Sequence, residues 1–184
     1  MYVLKGHETP PKFGMLKEKE VAIVCLSDVS AYGPDSLSYT ITKLVTAKLM
    51  TSKEKINVVS PSEVEEFIDL NGWDESSVDT LGEAVGADYV LVVDISAYSI
   101  REGQTLYKGK SDIALKVFDV ADEGRIVFDN GPNEFVFPEN GRPIMQTTDR
   151  QFEAFYLAQL TDYIAKSFIT HDHLESFAAD AMME

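Results

Sequence analysis

Two stretches of the chain are apolar at every position, Val21-Ala22-Ile23-Val24-Cys25-Leu26 and Tyr89-Val90-Leu91-Val92-Val93. A strand that alternates buries one face, whereas a strand apolar throughout is covered on both, as in parallel α/β sheets. Between the two runs, Leu37, Ile41, Leu44, Val45, Lys48 and Leu49 recur at helical spacing with only Lys48 polar. They predict a helix through about Met50, with Pro34 suited to its first position because a missing N–H costs nothing there. Ile56–Val59 predicts a short strand, and Ser60-Pro61-Ser62-Glu63 reads as a capping box. In such a box the Ser60 hydroxyl accepts from the Glu63 amide and the Glu63 carboxylate reaches back. The helix it opens buries Val64, Phe67 and Ile68 and stops at Asn71-Gly72. A second short helix holds Val78, Leu81 and Val85, with Gly86 placed to close it in the left-handed conformation. The resulting order, β-α-β-α-α-β, provides the crossovers that parallel strands require.

After Asp94 the pattern changes. Ile113, Leu115 and Val117 alternate with Asp112, Ala114, Lys116 and Phe118, as in a partly exposed strand. The turn Asp119–Gly124 leads into Arg125–Asp129, and Glu134–Phe137 lies between the expected loops Asn130–Asn133 and Pro138–Pro143. These connections are too short for helical crossovers, so the strands are expected to form an antiparallel meander. Thr148-Asp149-Arg150-Gln151 is a second capping box and opens the longest helix. Along it, Phe152, Tyr156, Leu160, Tyr163 and Ile164 are expected on the sheet, with Phe155 or Phe168 at the rim. The expectation is therefore an α/β fold in three layers, whose mixed sheet joins a parallel β-α-β part to an antiparallel meander, with a long C-terminal helix. Residues 1–20 read as an extended lead-in rich in Gly and Pro, 21–170 as a single domain, and 171–184 as an acidic tail.

Charge and composition narrow the function classes. Among 184 residues, 31 acidic side chains oppose 16 basic ones, a net charge of −15, which argues against nucleic acid as main partner and disfavours docking on anionic lipid. An apolar fraction of 45% excludes global disorder. Cys25 is the sole cysteine, so there is neither an internal disulfide nor a cysteine-based zinc site. Between Val24 and Leu26 it reads as an inert, inaccessible core thiol. No apolar run is long enough to span a bilayer, and Met1–Lys5 lacks the layout of a signal peptide. The compartment is then either the cytoplasm or, for a form trimmed of an export signal, the periplasm.

Candidate chemistry is sparse. His171-Asp172-His173 offers metal-ligand types, but adjacent residues do not converge easily on one ion, and a solvated helix end is the simpler reading. Asp88, Asp94, Asp112 and Asp119 flank or enter strands, where aspartates terminate the strand and bind water. No nucleotide fingerprint follows a strand. The loop Ser27–Gly33 lies between the first strand and first helix, where α/β proteins often hold ligands. Ser27, Asp28, Ser30 and Tyr32 are its candidate ligand-binding residues. No histidine base adjoins them in sequence, and neither a catalytic triad, a metal nor a cofactor is expected.

The first strand, the short strand before Ser60-Pro61, and the segment Leu81-Gly82-Glu83-Ala84-Val85-Gly86-Ala87-Asp88-Tyr89-Val90-Leu91 together resemble bacterial envelope lipoproteins of the CsgG, TolB N-terminal-domain and LpoB type. The segments Ser111–Val120 and Arg125–Phe128 resemble the antiparallel hairpin of that group. A closer resemblance, through Gly103–Gly109 and the His171-Asp172 ending, is to planctomycete proteins of unassigned function. The resemblance implies a periplasmic, membrane-tethered, non-enzymatic adaptor or assembly role. The implied partners are other envelope proteins or a second copy, with a membrane tether upstream of residue 1. The sequence departs from the group in lacking a lipid-attachment cysteine near its start. For such contacts the expected surface is the antiparallel side, with Tyr98, Arg101, Leu106, Tyr107, Phe135 and Phe137 in or beside loop-like segments. The bland alternative is that these aromatics cover the open end of the sheet. The rival function is a cytosolic small-ligand or nucleotide-binding enzyme using loop 27–33.

Overall fold

The computed structural model describes residues 8–29, 36–139 and 147–172. Its elements are β1 (Glu8–Thr9), β2 (Glu20–Ser27), α1 (Leu37–Met50), β3 (Asn57–Val58), α2 (Pro61–Asn71), α3 (Val78–Val85), β4 (Tyr89–Glu102), β5 (Leu106–Asp119), β6 (Arg125–Phe137), α4 (Asp149–Ala165) and β7 (His171–Asp172). Five strands form one sheet in the order β3-β2-β4-β5-β6. β3, β2 and β4 are parallel, and β4, β5 and β6 are antiparallel, as the pattern predicts.

Side-chain alternation on β2 and β4 sorts the helices into two layers. Val21, Ile23, Leu91, Val93 and Ile95 point to α1 and α4, whereas Ala22, Val24, Val90 and Val92 point to α2 and α3. β5 contributes Ile113, Leu115 and Val117 to the first layer and Phe118 to the second. Toward β6 the second face becomes polar, with Lys116 opposite Asp129 and Asp112 opposite Glu134. Among the described residues, no helix is long and apolar enough to cross a membrane.

The helix ends differ in detail from the expectation. α1 begins at Leu37, where the Ser36 hydroxyl accepts from the Tyr39 amide at 3.1 Å. Pro34, expected to start it, lies outside the described residues. Ser60 is the N-cap of α2 with Pro61 after it, but its hydroxyl makes no capping bond. That hydroxyl instead lies 3.2 Å from the Ser62 hydroxyl, while the Ser60 carbonyl accepts from the Glu63 amide at 3.0 Å. In the second box the Thr148 hydroxyl does cap, accepting from the Gln151 amide at 3.3 Å, while it donates to the Gln151 side-chain oxygen at 3.1 Å. Gly86 closes α3 at a φ of 71°.

The antiparallel strands run further than the sequence suggests. β4 continues to Glu102 through a register shift near Ala97, so Ile95–Glu102 is strand rather than loop. β6 runs unbroken through Asn130–Asn133, expected as a loop, because those residues form a bulge opposite Ile113–Leu115. Gly131, at a φ of 120°, permits it: a Cβ there would press on the Ala114 Cα at 2.9 Å.

The chain ends join the core instead of flanking it. Phe13 and Leu16, within the expected lead-in, are buried, and the Phe13 amide donates to the Ser167 carbonyl at 2.8 Å. β1 pairs with β7, so His171 and Asp172 sit in a strand; His173 lies outside the described residues. Phe168, one of the two alternatives for the rim, is 1% exposed because the chain turns after α4 and inserts it beside Phe128. Phe155 stays half-buried, and so does Tyr163, which lies against Phe135.

Glu54 fastens these ends from the α1–β3 connection. Its carbonyl accepts from Glu18 at 3.1 Å and its carboxylate from the Thr170 amide at 2.8 Å, although the residue is only 8% exposed. Burial pushes the carboxyl up, but the hydrogen bonds from Thr170 and its neighbours outweigh this and hold it below its ordinary 4.5. A depressed folded value means that the ionised Glu54 contributes stability above pH 4.5, lost as pH falls through the folded value. Chemical denaturation at pH 7 and in acid should show the wild type losing more stability than Glu54→Gln. Equal acid losses would mean that Glu54 does not carry this linkage.

Candidate functional site

β2 ends where α1 and α2 diverge, and the gap forms a cleft of about 670 Å³. Val24, Val64 and Ile68 make its apolar floor. Ser38, Tyr39 and Thr42 from α1 face Glu65, Asp69 and Trp73 from and beyond α2. The cleft thus lies at the C-terminal edge of the parallel strands, where open α/β sheets place ligands.

Two of the expected ligand-binding residues, Ser27 and Asp28, are already engaged. The Ser27 hydroxyl accepts from the Val29 amide at 3.1 Å. Asp28 extends the ladder of β2, since its amide donates to the Ile95 carbonyl at 3.3 Å and its carboxylate accepts from the Ala97 amide at 2.9 Å. Ala97 has a φ of 52°, so Asp28 holds the strained bulge of β4 in place. Ser30 and Tyr32, the other two candidates, lie outside the described residues.

Cys25 is partly exposed at the cleft and not inaccessible as expected. It faces the α1 layer at the end of the strand, beyond the cover that closes over Ile23. Burial of the sulfur nevertheless pushes the thiol up to about 12, opposed by the hydroxyls of Ser38 and Thr42 and reinforced by the Asp94 carboxylate. A thiol so held is protonated at neutral pH and is a poor nucleophile. Among the described residues, no histidine lines the cleft. Its shape can hold a small molecule, but none of these groups is poised to activate one.

Of the six residues expected on a contact surface, all but Leu106 form an intramolecular seam with α4. Tyr107 and Phe137 are buried against Phe152, with ring centroids 5.4 and 6.4 Å from it. Phe135 stacks on Tyr156 at 5.9 Å. Tyr98 packs on the same ring and donates from its hydroxyl to Glu153 at 2.9 Å; burial, then the Glu153 charge, pushes that phenol well above its ordinary range. Arg101 lies 4.8 Å over the Tyr107 ring and pairs with Asp149 at the start of α4. The hydrogen bond from Tyr107, then Arg101, lowers the Asp149 carboxyl. Leu106 is half-buried at the start of β5. Because β4 runs to Glu102 and β5 begins at Leu106, Tyr98 and Tyr107 lie on strands, not loops, and turn toward α4.

The structure also draws in residues that the sequence reading passed over. Trp73, the lone tryptophan, closes the cleft just past the α2 end. Its position after Asn71-Gly72, where a helix stops and the chain folds back, was the available signal. Asp88 and Asp119 accept backbone amides from Glu20 and Ala121 at 3.0 and 3.1 Å, as residues at strand ends do. Among the described residues, no cluster of three or more metal-ligand side chains forms.

No family model matches the sequence, and no curated protein matches it. Solved structures do resemble the chain. A variant PelC dodecamer from Paraburkholderia phytofirmans is 10% identical, over 89% of this chain and 96% of that one, with a TM-score of 0.50. Lipoprotein GNA1162 from Neisseria meningitidis is 15% identical, over 80% and 99% of the two chains, with a TM-score of 0.48. The LpoB C-terminal domain from Salmonella enterica is 14% identical over 64% and 81%, with a TM-score of 0.41. At such identities the likeness to the PelC protein is one of fold.

Two measurements probe this geometry. Iodoacetamide should alkylate Cys25 of the folded protein at pH 8 roughly fifty-fold more slowly than in the unfolded chain. The rise of the thiol from 9.0 to about 12 makes thiolate scarce, and greater intrinsic nucleophilicity offsets only part of that. Equal rates would show an unperturbed thiol. Gly109 packs face-on against the Tyr156 ring, which is fully buried and hydrogen-bonded to Ser111 at 2.7 Å. Gly109→Ala should therefore cost about 1–3 kcal/mol in a denaturation experiment. A neutral result would mean that the seam is loosely packed.

Proposed function

We propose that this domain works by contact, as a non-catalytic adaptor or assembly factor of the bacterial cell envelope. The observation that carries the reading is the engagement of Ser27, Asp28 and Cys25. At the edge where α/β enzymes keep their chemistry, these three groups are spent on a turn, a bulge and a protonated thiol. The envelope assignment is supported by the resemblance of Leu81–Leu91 and the following hairpin to envelope lipoproteins. In this structure that segment forms the end of α3 and the start of β4, and the hairpin is β5–β6. The contact residues are to be sought outside the aromatic seam, because Tyr107 and Phe137 are consumed within it.

A second reading, binding of a small ligand in the cleft, is favoured by the cleft's volume of about 670 Å³ and its mixed lining. Fractionation of cells producing the protein from its native gene, with a hydrolase and transferase panel on the purified chain, separates the two. The contact reading expects recovery with the envelope and no turnover. Cytoplasmic recovery together with turnover abolished by Ser27→Ala would overturn it in favour of an enzyme at the cleft.

A further inference from the structure

We propose that the groove between α2 and α3 docks a basic amphipathic helix of a partner protein. The inference rests on the contact reading above and names the partner's chemistry. The groove encloses about 610 Å³ over a floor that includes Phe67, Leu70 and Val85. α2 turns Val64, Phe67 and Ile68 toward the sheet, but Leu70 points away from it. At 78% exposure, Leu70 is the most exposed large apolar side chain among the described residues. Isolated exposed leucines are ordinary; this one borders a concave strip continuous with half-buried Phe67 and Val85.

Charge identifies the occupant. Glu63, Glu66 and Glu83 rim the groove, and none forms an ion pair with a described residue. The segment 61–88, which builds both helices, holds nine of the chain's 31 acidic residues and none of its 16 basic ones. A single base from elsewhere compensates this layer among the described residues, Lys116 on Glu75 at 2.8 Å. An apolar strip between uncompensated carboxylates complements a helix with apolar anchors at i, i+3, i+4 and i+7, flanked by Lys or Arg. The same rim repels anionic lipid and the identical face of a second copy.

The test uses the full chain and a fluorescein-labelled peptide of about 18 Leu and Lys residues, roughly five helical turns, with its leucines in one stripe. Fluorescence polarisation compares it with a peptide of the same composition and a scrambled stripe. The expected result is binding that weakens about tenfold in Glu66→Lys/Glu83→Lys and about threefold in Leu70→Ser, with the scrambled peptide about tenfold weaker on wild type. Asp129→Lys/Glu139→Lys, at the far edge of the sheet, should change affinity less than about twofold. All five substitutions lie on exposed side chains, and circular dichroism melting checks that each variant folds. Equal weakening by both charge pairs, or equal binding of the scrambled peptide, would overturn the proposal in favour of general charge attraction. Loss, in Leu70→Ser, of co-sedimentation with phosphatidylglycerol vesicles or of self-association in ultracentrifugation would overturn it by assigning Leu70 to a membrane or a second copy. None of these outcomes touches the contact reading itself, which fractionation and the activity panel test separately.

Discussion

Burial of β2 and β4 on both faces is the constraint on which the rest of the architecture depends. Val21–Val24 and Tyr89–Val93 are at most 7% exposed, so neither face of this pair can be left to water. Each face needs its own helical layer, and parity along the strands decides which helix serves which face. α1 and α4 take the odd residues; α2 and α3 take the even ones. The parallel arrangement follows, because only crossovers of helical length can return the chain to start β2, β3 and β4 at the same end. The cleft is a by-product of the same demand. Where the strands outrun the helices, α1 and α2 separate and leave a space open to the ends of the strands.

The meander is held differently. One helix, α4, covers its inner face, and its outer face carries Lys116, Asp129, Asp112 and Glu134. With half the helical cover, stability has to come from large side chains meeting across the single interface. Phe152 and Tyr156 are the rings on α4 that do this, against Tyr98, Tyr107, Phe135 and Phe137. Gly109 is the complement of that crowding, since only a residue without a Cβ leaves room for Tyr156 on β5. The polar tips of the rings are provided for as well: Tyr156 meets Ser111, Tyr98 meets Glu153, and Tyr107 meets Arg101 and Asp149.

Periodicity made the parallel half legible, because continuous apolar runs and helical spacing are local signals. The helices through Met50, Asn71 and Val85 and the left-handed Gly86 all follow from them. The antiparallel half was less legible because its strands break their own alternation. The bulges at Ala97 and Gly131 put a polar or small residue where a strand pattern would lapse, and a lapsed pattern reads as a loop. With the far end of β4 and the start of β5 lacking a strand pattern, Tyr98 and Tyr107 have the look of exposed anchors in sequence. The ends lack a local signal as well: Phe13 and Leu16 are isolated apolar residues in sequence, and the bonds that tie the ends down, from Phe13 to Ser167 and from Glu54 to Glu18 and Thr170, are long-range. In the candidate cleft, the position at the strand end was legible, but the engagement of Asp28 with Ala97 was not, since 69 residues separate them.

The two helical layers therefore carry different burdens. The α1 and α4 layer supplies the larger core and the aromatic seam, and it receives the chain ends. The α2 and α3 layer buries a smaller set of side chains on α2 and α3, chiefly Val64, Val78 and Leu81, and crowds like charges on its outer surface. Self-repulsion in such a layer opposes folding, so the acidic surface is not explained by the stability of this domain. Nor is Leu70, whose side chain adds nothing to the core beneath it. The charge costs this layer stability, whereas Leu70, as exposed in the unfolded chain as in the fold, costs it none. Under the docking proposal a basic, apolar-faced helix would neutralise those carboxylates and cover that leucine in one event.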